Sequence, residues 1–186
     1  MFNKKRLFVQ AALILTSFFG VSEANAQNQP WDPKCPYTLA SLQGSYTIIV
    51  NYSPDVALSL QAETLDGKGN LTRAGIINQP VAGSTTGERT VGTVSNTGTY
   101  TVNCNGTGTF TQIATRPDGT MTPPTMSDFI ITQAIQSPGQ PPIATTIKDV
   151  QRVPSLIVPG GLFLTRVHTR LPDLVCDHGP GCRWPF

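Results

Sequence analysis

Between Ser45 and Thr169 the chain breaks into short runs of alternating or continuous apolar residues, with turn signals every ~8 to 15 residues. Few helices of ordinary length fit between such interruptions, so this spacing constrains the fold more than any other feature. The runs are Ser45–Tyr52, Val56–Leu65, Leu71–Asn78, Arg89–Val94, Thr99–Cys104, Thr107–Thr115, Ser127–Ile135, Ile143–Val150 and Gly161–Thr169. Asp66-Gly67, Asn105-Gly106 and Pro117-Asp118-Gly119 carry the chemistry of tight reversals that join neighbouring strands. Composition agrees, with 13 Lys+Arg and 11 Asp+Glu against 17 Gly and 16 Pro, and 24 Thr besides. Long charged helices, coiled coils and charge-driven disorder are thereby excluded. The expected architecture is all-β: a single antiparallel β-barrel of about eight strands in meander order.

The two-residue period of a strand assigns the faces. Val56, Leu58, Leu60 and Ala62 alternate with Ser59, Gln61 and Glu63, which predicts the first set inward and the second outward. Phe129, Ile131 and Ile135 share a face with Gln133, while Tyr46, Ile48, Val50 and Tyr52 form another apolar face, as do Tyr100 and Val102. A closed interior filled by Leu58, Leu60, Phe129 and Ile131 would leave no room for a ligand; the faces opposite the apolar ones are rich in Thr, Ser, Asn and Gln.

The ends have a different character. Residues 1–26 read as a cleaved bacterial-type signal peptide: Lys4, Lys5 and Arg6, an apolar stretch Leu7–Gly20, and Ala24-Asn25-Ala26 as the cleavage pattern. The apolar stretch is short of the roughly 20 residues that span a bilayer, so no membrane association is expected after cleavage, and the location is periplasmic or extracellular. Removal leaves ten basic and ten acidic residues, and a neutral chain without a Lys/Arg cluster lacks the footprint of a nucleic-acid binder. A Pro-rich arm (27–37), the barrel (38–170) and a Pro/Gly-rich tail (171–186) follow.

Four cysteines remain, and in an oxidising compartment they predict two disulfides. The turn-forming Gly179, Pro180 and Gly181 favour Cys176 with Cys182, leaving Cys35 with Cys104. A metal site on Cys176, His178 and Cys182 is disfavoured, since no second His or Cys pair completes a ligand set.

Three motifs, Gln43-Gly-Ser-Tyr46, Leu65-Asp-Gly-Lys-Gly-Asn-Leu-Thr72 and Thr97 to Thr109 (Gly-Thr-Tyr-Thr-Val-Asn-Cys within it), resemble those of uncharacterised secreted bacterial proteins that are similar to the allene oxide cyclase barrel-like family. The resemblance covers roughly residues 38 to 170 and implies an eight-stranded barrel with a central cavity. In the cyclases themselves that cavity takes an apolar substrate and steers it by shape. No catalytic residue of theirs maps onto a motif here.

Nucleophilic catalysis finds no support, because no Gly-x-Ser-x-Gly elbow occurs and the chain has two histidines. The polar row that stands out is Arg166, His168 and Arg170, alternating along the last run. Two guanidiniums beside an imidazole could clamp a carboxylate or phosphate. The rarity of buried Arg favours the solvent face instead, with Phe163, Thr165, Val167 and Thr169 inward. Arg152, at the end of the preceding run, is expected to make a surface pair with Asp149. Glu63 is either ordinary surface or a lone ionisable group in a polar cavity lining. The candidate ligand-binding residues are therefore Glu63, Arg152, Arg166, His168 and Arg170, with no cofactor and no metal. The expected function is binding of a small, largely apolar molecule in the cavity. The alternatives are a cyclase or isomerase acting by shape there, and a structural or surface-interaction protein.

Overall fold

The computed structural model describes residues 32–53, 57–81, 83–116, 118–154 and 163–172. The signal segment, residues 27–31 of the arm and residues 173–186 of the tail, with Cys176, His178 and Cys182, lie outside the described residues. Eight strands form a closed antiparallel barrel in sequence order: β1 (Gly44–Ser53), β2 (Leu58–Leu65), β3 (Asn70–Pro80), β4 (Arg89–Val102), β5 (Thr107–Thr115), β6 (Thr125–Ile135), β7 (Ile143–Val153) and β8 (Phe163–Arg170). Closure comes from pairing β1 with both β2 and β8. The all-β meander read from the turn spacing is the fold observed.

The hairpins form where the turn chemistry places them. Asp66 Oδ1 accepts hydrogen bonds from the Lys68 and Asn70 amides at 2.7 and 2.9 Å, and Gly67 has a φ of 73°. A short polar side chain and a glycine in the left-handed region thus fix the β2–β3 reversal.

One strand is longer than expected. Arg89–Val94 and Thr99–Cys104 are not two runs but parts of the single strand β4, paired with β3 from Arg89↔Pro80 to Thr99↔Asn70. Gly98 does not mark a turn: a Cβ there would collide with the Thr111 carbonyl oxygen on β5, so glycine permits a close strand approach.

At the end where β1 begins, a single 3-10 turn, Leu39–Leu42, lies across the barrel. The Cys35–Cys104 disulfide anchors the preceding segment, as expected, with the two Cα atoms 4.4 Å apart. Leu42 enters a buried apolar cluster with Tyr46, Leu65, Leu71, Tyr100, Phe110, Phe129, Ile131, Ala144 and Ile147. The Tyr46 hydroxyl donates to the Ala144 carbonyl at 2.9 Å, so this half of the interior is packed and its polar tip satisfied.

The face assignments hold for β1 and fail for β2 and β8. Tyr46, Ile48 and Val50 are inward, and residues directly opposite on paired strands share a face. Their partners are Glu63, Gln61 and Ser59 on β2, and Arg170, His168 and Arg166 on β8. Those polar residues are therefore interior, while Leu58 and Leu60 are each 55% exposed and Phe163 and Val167 also face outward. The β6 parity breaks at register shifts between Ile131 and Ala134, which keeps Phe129 and Ile131 inward but turns Gln133 and Ile135 out. Outside, Val167, Ile49, Leu60 and Ile76 stand in direct register across β8, β1, β2 and β3.

Candidate functional site: a buried ion chain and the polar half of the barrel

Midway along the interior, charged side chains from β2, β3, β7 and β8 form one continuous chain. Arg73 donates through Nε to Glu63 Oε1 at 3.1 Å and again through Nη2, while its Nη1 reaches Gln112 Oε1 at 2.6 Å. The other Glu63 oxygen lies 2.6 Å from His168 Nδ1, and His168 Nε2 lies 2.6 Å from Asp149 Oδ2. Asp149 Oδ1 accepts from Arg166 Nη1 at 2.7 Å, and the same nitrogen donates to Ser127 Oγ at 2.9 Å. The order is Arg73, Glu63, His168, Asp149, Arg166, with signs that alternate from end to end. Every member is buried.

With Glu63 and Asp149 ionised, the imidazole is doubly protonated in this arrangement. Each ring nitrogen faces a carboxylate oxygen at hydrogen-bond distance, and a neutral imidazole can donate only once. Electrostatics agrees: burial pushes His168 down, but Glu63 and Asp149 outweigh it and raise its pKa above 6.5. Burial likewise pushes Glu63 up, yet Arg73 and then His168 bring it down to about 2. Asp149 is held low against its burial by Arg166 and His168. Burial draws Arg166 down despite the attraction of Asp149. From the apolar side the Phe110 ring stacks on His168, with centroids 5.4 Å apart and planes inclined by 19°. This contact is the junction between the packed half and the polar half.

Burying charges requires partners on both sides of each, and hairpin register supplies the first. Glu63 and Arg73 are directly opposite on β2 and β3. His168 and Asp149 come from β8 and β7, which meet Glu63 only because the barrel closes.

Beyond the ion chain, away from the 3-10 turn, the lining is polar and incompletely paired. Gln61 Nε2 donates to Ser59 Oγ at 2.8 Å, and that hydroxyl donates to the Ile76 carbonyl, leaving Gln61 Oε1 without a partner. Asn96 Oδ1 is also unpartnered, and Gln151, 3% exposed, has neither carboxamide atom bonded. Around them Tyr52, Ile77, Val94 and Leu164 share the inward parity and are only half-buried.

The candidate residues thus separate into three places. Glu63, Arg166 and His168 meet in the ion chain, not on the solvent face, because complementary charges neutralise one another there. Arg170 is inward but at the opposite end, where it donates to the Gln43 carbonyl and lies 6.0 Å from the Tyr46 ring. Arg152 points outward and pairs with Asp128 at 3.3 Å. The expected Asp149–Arg152 pair is replaced by Asp149 with Arg166 and His168, since Asp149 and Arg152 lie on opposite faces of β7. Arg73, Gln112, Gln151 and Asn96 were not singled out by the sequence reading. The Asp66-Gly67 reversal was the available signal for Arg73, since a hairpin centred there sets it opposite Glu63.

Among the described residues no group of His, Cys, Asp and Glu could hold a metal ion, and no helix is long and apolar enough to cross a membrane. Compared with protein-family models, curated proteins and solved structures, the chain matches none.

Proposed function

We propose that this barrel binds a small amphipathic molecule in its interior, in the half away from the 3-10 turn, after export to an oxidising compartment. The observation that carries the reading is Gln151. Burying a whole carboxamide without a hydrogen bond costs about 1–3 kcal/mol for each lost partner, and Gln61 and Asn96 add to the deficit at the same level. A ligand with polar groups directed at the ion chain and an apolar body against Tyr52, Ile77, Val94 and Leu164 would satisfy both sets. The apolar half is filled by its own side chains, so a wholly apolar ligand has less to recommend it. The Cys35–Cys104 disulfide supports the compartment. The motif order between residues 43 and 109 supports a relation to the allene oxide cyclase barrel-like proteins, and a barrel alone carries no activity.

The cyclase or isomerase reading is less well supported, because both nitrogens of His168 and both carboxylates beside it are engaged with one another. The surface-interaction reading has one observation in its favour, the outward row Val167, Ile49, Leu60 and Ile76. Native mass spectrometry of protein purified from its own compartment, with thermal shifts across a panel of small amphipathic compounds, tests the proposal. A retained or stabilising small molecule is expected. No adduct and no shift from any compound would refute it in favour of the surface reading.

A further inference from the structure

We infer that the polar half of the barrel is a site for a small monocarboxylate, gripped by the free edge of the Arg166 guanidinium and by the Gln151 carboxamide. The inference rests on the small-molecule reading above and names the chemical class of its ligand.

The first argument is charge. The ion chain holds three cations, Arg73, His168 and Arg166, against two carboxylates, Glu63 and Asp149. With the proton shared along the two 2.6 Å contacts of His168, one positive charge is left in excess, whichever partner holds it. In a water-poor interior an uncompensated charge is costly, and no third carboxylate lies inward among the described residues.

The second argument is geometry. Arg166 is 3% exposed and uses only Nη1, on Asp149 and Ser127. Its Nε and Nη2 make no hydrogen bond to a described residue, and together they form one edge of the planar fork that matches a carboxylate. Gln151 sits opposite Ser127 in the β6–β7 register, one inward position along from Asp149. Its unbonded carboxamide therefore belongs to the same corner as Arg166. One excess charge and one free fork fit a monoanion. A phosphate dianion would overshoot the charge and leave a buried negative excess.

The test uses the full-length, disulfide-bonded mature chain and calorimetric titration with benzoate, phenylacetate, cyclohexanecarboxylate and hexanoate, each against its uncharged amide and against hexyl phosphate. At least one acid is expected to bind about tenfold or more tighter than its amide, the loss that accompanies removal of charge-assisted hydrogen bonds. Gln151→Leu breaks no bond within the protein, so the variant should fold with unchanged or higher urea resistance while weakening that acid severalfold. Arg166→Gln combined with Asp149→Asn removes the fork as a neutral pair and should abolish the preference for acid over amide. Equal binding of acid and amide would overturn the carboxylate assignment while leaving the small-molecule reading intact. Tighter binding of hexyl phosphate, or an unaltered affinity in Gln151→Leu, would overturn it as well. Binding by none of the probes would overturn it too, and the small-molecule reading falls only if the wider panel above also fails.

Discussion

Acidification should dismantle the ion chain at Glu63. The carboxyl titrates at 4.5 in its ordinary state and at about 2 in the fold, where Arg73 and His168 outweigh its burial. At about 1.4 kcal/mol for each pH unit of displacement, the shift is worth about 3 kcal/mol of folding stability. The sign follows from a depressed folded value: the contribution is complete above about pH 4.5 and is lost as pH falls toward about 2. Urea unfolding followed by circular dichroism, at steps from about pH 6 down to 2, reads it directly when wild type is compared with Glu63→Gln. Other carboxylates titrate in both proteins, so the difference between the two losses isolates Glu63 and should reach about 3 kcal/mol. Equal losses in the two proteins would refute the reasoning. His168 behaves in the opposite sense, since its folded value is raised above 6.5. Its contribution is complete below about pH 6.5 and lost as pH rises through the folded value, and His168→Gln should flatten that alkaline limb.

Two further outcomes follow from the packing. Leu60→Thr, on the outer face, should change stability by no more than about 0.5 kcal/mol, whereas Ile48→Ala, fully buried beside His168, should cost about 2–5 kcal/mol; thermal melts showing the reverse order would reinstate the opposite parity. Cys35→Ser opens a disulfide that spans a sequence separation of 69, and should lower stability by about 4 kcal/mol on the chain-entropy account. An unchanged melting temperature would show that the Leu39–Leu42 turn holds without its covalent anchor.

Much of this architecture was legible in the sequence. The strand positions and the Asp66-Gly67, Asn105-Gly106 and Asp118-Gly119 reversals are local signals, and local backbone chemistry decides them. The division of β4 into Arg89–Val94 and Thr99–Cys104 was a misreading, because a polar, glycine-containing stretch inside a strand looks like a turn until the neighbouring strand is known. The parity of β2 was misread for a deeper reason. Leu58 and Leu60 compete with Ser59, Gln61 and Glu63 for the interior, and the usual rule favours the leucines. What reverses it is that Arg73, His168 and Asp149 are also inside, so that Glu63 enters already neutralised. The Glu63–Arg73 half of that arrangement is 10 residues apart in sequence and readable from one hairpin. The Glu63–His168 half is separated by 105 residues and exists only once β1 has joined β8 to β2. The site is therefore a product of closure and has no local signature.

Closure has another consequence. Because β1 is paired on both sides, every described strand has two hydrogen-bonded neighbours, and free backbone rows remain only where a strand outruns its neighbour, as Arg89–Val94 of β4 outruns β5. Within the closed wall a partner chain cannot add a strand, and edge-to-edge pairing finds a template only at such projecting strand ends. Whatever touches the closed part of the wall must be recognised through side chains, on a surface where threonine lines β4 and β5 and aliphatic residues line β8 through β3. The wall thus carries two distinct textures, with any selectivity written in shape and apolar contact and not in backbone hydrogen bonding.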